Sequence, residues 1–281
     1  MIIKSKIYIG ILLIFLLSGM FPFKHVDIIE ADENINLQST QSHKGMVFIS
    51  PGSFLMGSDL NQGYRTCLEY NKTCKKKWFL DEQPVHPVKL DGFHMDMYEI
   101  TQKEFKSVMG KNPSKFKGSK RPVEYVTWFE ANEYCERIGK RLPTEAEWER
   151  AARGGNNSTF LWGNKAESGK ANFCDAHCEK RWKVDHIDDG FPNTAPVGSF
   201  PPNNYGLFDM AGNVYEWVMD WHMEGYYRKS PRENPPGPES GKKKVMRGGS
   251  WINYATGVRS ADRTDSKPSA RLDFVGFRCA L

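Results

Sequence analysis

The spacing of apolar and polar positions divides the chain into three textures. Residues 7–23, IYIGILLIFLLSGMFPF, form a run of 17 apolar or small residues behind Lys4 and Lys6. Residues 24–43 are polar and lack a period, and from Met46 onward short apolar stretches recur to the end. Three of these stretches open with a threonine followed three residues later by glutamate: Thr101–Glu104, Thr127–Glu130 and Thr144–Glu147. In such a box the hydroxyl and the carboxylate satisfy amides left free at a helix start, so the spacing predicts three helices. Gly110, Gly139 and Gly154 mark where they should stop. In the second, Trp128, Ala131, Tyr134 or Cys135, and Ile138 recur at helical spacing and predict a core-facing stripe. MVFI, FLMG, KVMRGG and GFRCA read as short strands. Residues 155–206 show turn chemistry and little period, and loops that long need something to hold them.

The first apolar run fits a signal peptide or a short membrane anchor better than a core helix. Met20 stands where a lipidated cysteine would have to follow Leu17-Ser18-Gly19, so lipid attachment is not expected. Cleavage near Ala31 and retention as an anchor both remain open. Either way the body is expected to be exported, touching a membrane only through this segment. The expected organisation is a signal peptide or anchor over 1–31, a linker over 32–44 and one domain over 45–281. With 281 residues, 39% of them hydrophobic, one substantial core is affordable. Eight tryptophans, 25 glycines and 16 prolines point to turn-rich backbone pinned by large rings. The net charge of +5 changes little. Its densest runs, Lys75–Lys77 and Lys242–Lys244, sit among turn residues and read as solvated loops. No basic face at helical spacing suggests a nucleic-acid partner.

Six cysteines stand at 67, 74, 135, 174, 178 and 279. An even number in an exported chain makes three disulfides the default, with Cys67–Cys74 and Cys174–Cys178 as local bridges. Cys174-x-x-x-Cys178 with His177 between them could instead ligate zinc, though no second ligand pair stands at metal spacing.

Several phrases, taken in order, resemble a known family. They are GSFLMGS (52–58), EITQKEF (99–105), RPVEYVTWFEANEYCERIGKRLPTEAEWERAARGG (121–155), TAPVGSFPPNNYGLFDMAGNVYEWVMDW (194–221), RGGSW (247–251) and GFRCA (276–280). Together they are similar to the formylglycine-generating enzyme, or sulfatase-modifying factor, family over roughly residues 45–281. The resemblance implies a single α+β domain of the C-type-lectin-like variety, low in regular secondary structure and stabilised by two calcium ions. One set of ligands would be side chains of Asp209 and Glu216 with carbonyls of Gly212 and Val214. The other would be Asn172 and Asp189 with carbonyls of Phe173 and Phe191, although Asp188 next door could take the acid's place. Calcium prefers such carboxylate and carbonyl oxygens on tightly bent chain. The resemblance also pairs Cys135 with Cys279.

In the sulfatase-activating members, two cysteines shortly after the GGS triplet bind copper and carry the oxidation of a substrate cysteine. Here one of those positions is Asn253, and the other falls in what reads as a three-residue deletion around Ala255–Val258. No cysteine occurs from 250 to 278. An amide replaces neither a soft copper ligand nor a redox sulfur, so copper is not supported by the residues. The seven histidines show no ligand spacing, so iron is not supported either. Arg247, Ser250, Trp251, Asn253 and Arg263 remain as a candidate pocket frame. The reading is therefore an exported, calcium-stabilised recognition module for a protein or small-molecule ligand. The alternative is an oxidoreductase of the wider family, dependent on non-haem iron or copper.

Overall fold

Helix α1 (Leu60–Tyr70) carries no threonine–glutamate box and is not foreshadowed by the apolar pattern; Asp59 caps it by accepting from Gln62 N. The three boxed helices form where their boxes stand: α2 (Gln102–Met109), α3 (Trp128–Arg137) and α4 (Glu145–Arg153), each with both hydrogen bonds of the box present. Helices α2 and α4 end on Gly110 and Gly154 in the left-handed conformation, while α3 closes one residue before Gly139, at Ile138. This computed structural model describes residues 44–281, so the expectations for the leader and for linker residues 32–43 lie outside the described residues.

The strands are short and scattered, as a turn-rich composition requires. Strand β1 (Met46–Ile49) pairs antiparallel with β4 (Phe93–Asp96), and β2 (Gly52–Met56) with β3 (His86–Leu90). A four-stranded sheet has the order β7-β6-β5-β8, built from β5 (Tyr215–Trp221), β6 (Lys244–Arg247), β7 (Arg263–Ser266) and β8 (Val275–Gly276). Strand β8 lies parallel to β5, and the other pairs are antiparallel. MVFI and FLMG are strands as the pattern suggested, but GFRCA is not: only Gly276 joins a ladder, and Ala280 makes isolated bridges to Met95 and Arg141. The last residues are held by isolated backbone hydrogen bonds to His94, Asp96 and Arg141, by packing and by a sulfur bridge.

The helical stripe of α3 faces the core, with Ala131, Tyr134 and Cys135 buried and Trp128 and Ile138 packed at its margin. Cys135 bonds to Cys279, tying α3 to the C-terminal segment. Cys67–Cys74 closes the excursion that begins with α1, and Cys174–Cys178 closes a turn in the long irregular stretch. The last bridge removes the two thiolates that a zinc site would have needed. Three disulfides suit an oxidising compartment. Among the described residues no helix is long and apolar enough to cross a membrane.

Helix α4 is buried on every side although it carries three glutamates and two arginines. Buried charges survive only when paired or hydrogen-bonded, and these are. Glu149 holds Arg153 at 2.7 Å and also receives Arg247 of β6. Glu145 receives Arg263 of β7 at 2.7 Å and the Tyr227 hydroxyl at 3.1 Å. This ionic layer fastens α4 to the four-stranded sheet and sets the frame for everything that follows.

Candidate functional site

Loop 209–214 leads directly into β5. Gly212 has φ +81, and a Cβ there would fall 2.1 Å from the carbonyl oxygen of Asn172, so only glycine allows the two loops to touch. The contact is an isolated bridge between Asn172 and Gly212, extended by Asn213 N donating to Asn172 O at 2.8 Å. The two sets of oxygen-bearing residues singled out in the sequence therefore meet.

In the first set, Asp209 Oδ2 accepts from Gly198 N at 2.6 Å, while Asp209 Oδ1 is buried without a hydrogen-bond partner. Glu216 accepts from both Arg278 Nη2 at 2.7 Å and Arg278 Nε at 2.8 Å, and from Trp148 Nε1 at 2.8 Å. Three donors leave a carboxylate some remaining acceptor capacity. Glu99, which the sequence reading passed over, lies beside them and accepts from Asn213 Nδ2 and Val214 N. Burial, with Asp209 and Glu216 close by, pushes the Glu99 carboxyl well above the usual range. Burial likewise raises Asp209 to about 6. Three buried carboxylates thus face one guanidinium.

In the second set, Asn172 Oδ1 is again a buried acceptor without a partner. Asp189 accepts from Phe173 N at 3.0 Å and Phe191 N at 2.8 Å, and its own amide donates to Asp175. Burial, followed by the Asp175 charge, pushes Asp189 to about 7. Asp188 points outward to His177 at 2.9 Å, its side chain 67% exposed, so Asp189 is the buried acid of the pair. No group of three or more His, Cys, Asp or Glu is placed to hold a metal ion among the described residues. Calcium does not require one, because amide and carbonyl oxygens complete its shell. A lone acceptor in each set, surrounded by excess negative charge, fits a hard divalent cation.

The five pocket candidates fare differently. Arg247 is fully buried: it donates to Glu149 and to the carbonyls of Ser260, Ala261 and Asp262. Arg263 is almost as enclosed, bound bidentately to Glu145 and stacked on Tyr227. The expectation that Arg247 offers hydrogen bonds to a ligand is corrected, since burial makes it an ion-pair anchor of the sheet. Arg263, although anchored by Glu145, still borders a cleft beside Asp81 and His222. Trp251 is half-buried, its indole donating to Asp273 O and its ring edge-on to Phe116. Ser250 is buried and donates to Asn253 Oδ1 at 2.5 Å. Asn253 Nδ2 donates to Tyr215 Oη at 3.0 Å, and that hydroxyl donates to Asp262 Oδ2 at 3.3 Å. Burial raises Asp262 to about 8. The serine proton is therefore held by an amide oxygen, which is no base, and Ser250 has nothing to activate it.

Two clefts that open to solvent flank β2. One of about 180 Å³ is lined by Leu55, Ser58, Gln62, Arg153, Thr159 and Arg259. A second of about 360 Å³ adjoins it, sharing Leu55, Arg153 and Asn157. The α1 excursion walls the first cleft, and its Phe79 packs under Arg259, whose guanidinium is held bidentately by Glu82. Sequence reasoning missed this wall. The one available signal was Asp59, a lone helix cap ahead of a local cysteine pair.

A family model for the sulfatase-modifying factor enzyme 1-like domain matches residues 32–281. Formylglycine-generating enzyme of Mus musculus is 32% identical over 291 residues, which covers 84% of this chain and 74% of that protein. Serine/threonine-protein kinase pkn1 of Chlamydia pneumoniae is 37% identical over 252 residues; the match takes in 84% of this chain but only 37% of the kinase. Among solved structures, PvdO from Pseudomonas aeruginosa aligns with a TM-score of 0.67 at 28% identity, covering 84% of this chain and 93% of that one. The α+β architecture, with its few short strands and long irregular stretches, is the one these relatives share. The chain belongs to the sulfatase-modifying factor enzyme 1-like domain family.

Proposed function

We propose that this chain is an exported, calcium-stabilised domain that recognises a peptide or small-molecule ligand and does not perform the copper–cysteine oxidation of the sulfatase-activating members. The observation that carries the reading is the fate of the thiols. All six cysteines are consumed in three disulfides. Asn253, standing where the first thiolate would be, is tied to Ser250 and Tyr215. A calcium ion would be held by Asp209 and Glu216 with the carbonyls of Gly212 and Val214. A second would be held by Asn172 and Asp189 with those of Phe173 and Phe191. Bound there, calcium supplies the positive charge that the buried carboxylates lack and stiffens the irregular stretch. Ligand recognition is assigned to the paired clefts beside β2, where apolar Leu55 and Val85 adjoin hydroxyl and amide groups.

The test is to incubate the calcium-loaded protein with copper(I), a reductant, oxygen and a cysteine-containing sulfatase peptide. The peptide cysteine should keep its mass. A mass loss matching conversion of that cysteine to the aldehyde, clearly faster than in buffer, would overturn the reading. Oxygen uptake on adding iron(II) instead would favour the oxidoreductase alternative.

A further inference from the structure

Two lysine runs that lie far apart in the sequence meet on one face of the fold. Lys75, Lys76 and Lys77 are all exposed on the turn that follows the Cys67–Cys74 bridge. Lys77 lines a broad cleft of about 570 Å³ together with Trp78, Leu80, Asp81, His222 and Asp265. The second run reaches the same cleft from the other side. Lys243 Nζ lies 2.6 Å from Asp265 Oδ1, and its carbonyl accepts from His222 N at 2.8 Å, with Lys242 exposed beside it. Only Lys244 turns inward, between the rings of Trp128 and Trp221.

Of the three acids that line the cleft, Asp265 is engaged by Lys243 and faces His222, and Asp81 lies 3.6 Å from His222. Glu224 is exposed with no ion pair among the described residues. Lys75, Lys76, Lys77 and Lys242 have no carboxylate partner among the described residues, so these four lysines outnumber the acids left uncompensated. Beside them Trp78 is 45% exposed and Leu80 49%, while Phe79 between the two is buried and anchors the turn. The result is a pinned edge carrying unpaired ammonium groups and two uncovered apolar side chains.

We propose that this face docks on a membrane surface rich in anionic lipid headgroups, with the lysines over the headgroups and Trp78 and Leu80 at the interface. An anionic bilayer favours both halves of the pattern at once. Each lysine gains from the surface potential, and an indole ring sits well at headgroup level. A dissolved acidic polymer would use the lysines but leave Trp78 idle. The proposal stands apart from the ligand reading and needs neither calcium nor the clefts beside β2.

The test uses the full chain and vesicles of phosphatidylcholine with or without phosphatidylglycerol. Because the apolar run at 7–23 can partition into either, the readout is the ratio of the two affinities. The ratio should be well above one and should fall with added salt. Lys75→Glu, Lys76→Glu and Lys77→Glu together should lower it roughly tenfold or more, since each lysine near such a surface is worth a few-fold. Trp78→Ala should lower it several-fold, and replacing the three lysines by arginine should preserve it. Lys103→Glu with Lys106→Glu, exposed on α2, should leave it unchanged. A ratio near one, or equal losses in the α2 variant, would overturn the proposal. So would an unaffected Trp78→Ala variant whose binding is competed by soluble polyglutamate, which would assign the face to an acidic polymer.

Discussion

The oxygen-rich loops at 172–191 and 209–216 and the segment from Ser250 to Asp262 lie side by side and solve opposite problems. In the loops, Asn172 Oδ1 and Asp209 Oδ1 are buried acceptors with no donor, and Glu99, Asp209 and Glu216 share the single Arg278. In the segment, Ser250, Asn253, Tyr215 and Asp262 form an unbroken donor-to-acceptor chain. An unsatisfied buried acceptor costs about 1–3 kcal/mol, so the first region would gain from a bound cation, as proposed above. The chain from Ser250 to Asp262 is closed, although the Ser260 hydroxyl beside it is buried without a partner, and no cysteine lies in the segment. On the proposed reading, the first region is a frame completed by a cation and the second a segment whose polar chain is closed on itself.

The largest effect should come from removing the guanidinium that Glu99, Asp209 and Glu216 share. Arg278→Met leaves three buried carboxylates uncompensated and should cost about 3–5 kcal/mol in denaturant unfolding with chelator present. A loss below 1 kcal/mol would mean the acids are not charged in the folded protein. Replacing both Cys135 and Cys279 by alanine should cost about 2–5 kcal/mol by the same measurement, because the bridge closes a separation of 144 residues. Melting cooperatively at the parent's temperature would show that the C-terminal segment is held by packing alone.

Calcium withdrawal comes next. At calcium a hundredfold above its dissociation constant the ion adds about 2.7 kcal/mol, so chelation should lower the melting temperature by several degrees. Glu216→Ala should abolish most of that response. In chelator the pH dependence has a definite sign. Asp209 and Asp189 are raised to about 6 and about 7 in the fold, so the native state holds their protons more tightly than the unfolded chain does. Their contribution is full below about pH 4 and is lost as pH rises through 6 to 7. Calcium should therefore stabilise more strongly as pH rises across that window, and Asp209→Asn should flatten the profile. A profile rising from pH 4 to 7 in the parent and unchanged in the variant would contradict the assignment. The smallest effect belongs to the satisfied segment. Asn253→Ala should cost about 1 kcal/mol by unhooking Ser250 and Tyr215, with no change in the calcium response.

Much of the frame was legible in the sequence because it rests on local rules. Thr101, Thr127 and Thr144 announce their helices through a glutamate three residues on, and the structure places each helix there. The ordered phrases gave the family, and the resemblance gave the Cys135–Cys279 pairing that the structure forms. What stayed hidden depends on contacts across the fold. Arg247 reads as a pocket residue because it precedes Gly248-Gly249-Ser250, yet its partner Glu149 lies 98 positions away. The five charges of α4 could have warned of this, since a helix bearing Trp148 among glutamates and arginines must pair them if buried. Helix α1 was missed because it lacks the threonine–glutamate box by which the other three helices were read. The convergence of the two lysine runs was invisible for the same reason as the arginine pairs: nothing local records it.

The proposed contrast, a frame completed by calcium beside a segment with no thiol, is tested most directly by the metal content of the full chain purified without chelator. Elemental analysis should find two calcium ions per chain, with copper and iron far below one. One copper or iron per chain, or calcium absent from folded protein, would contradict the account.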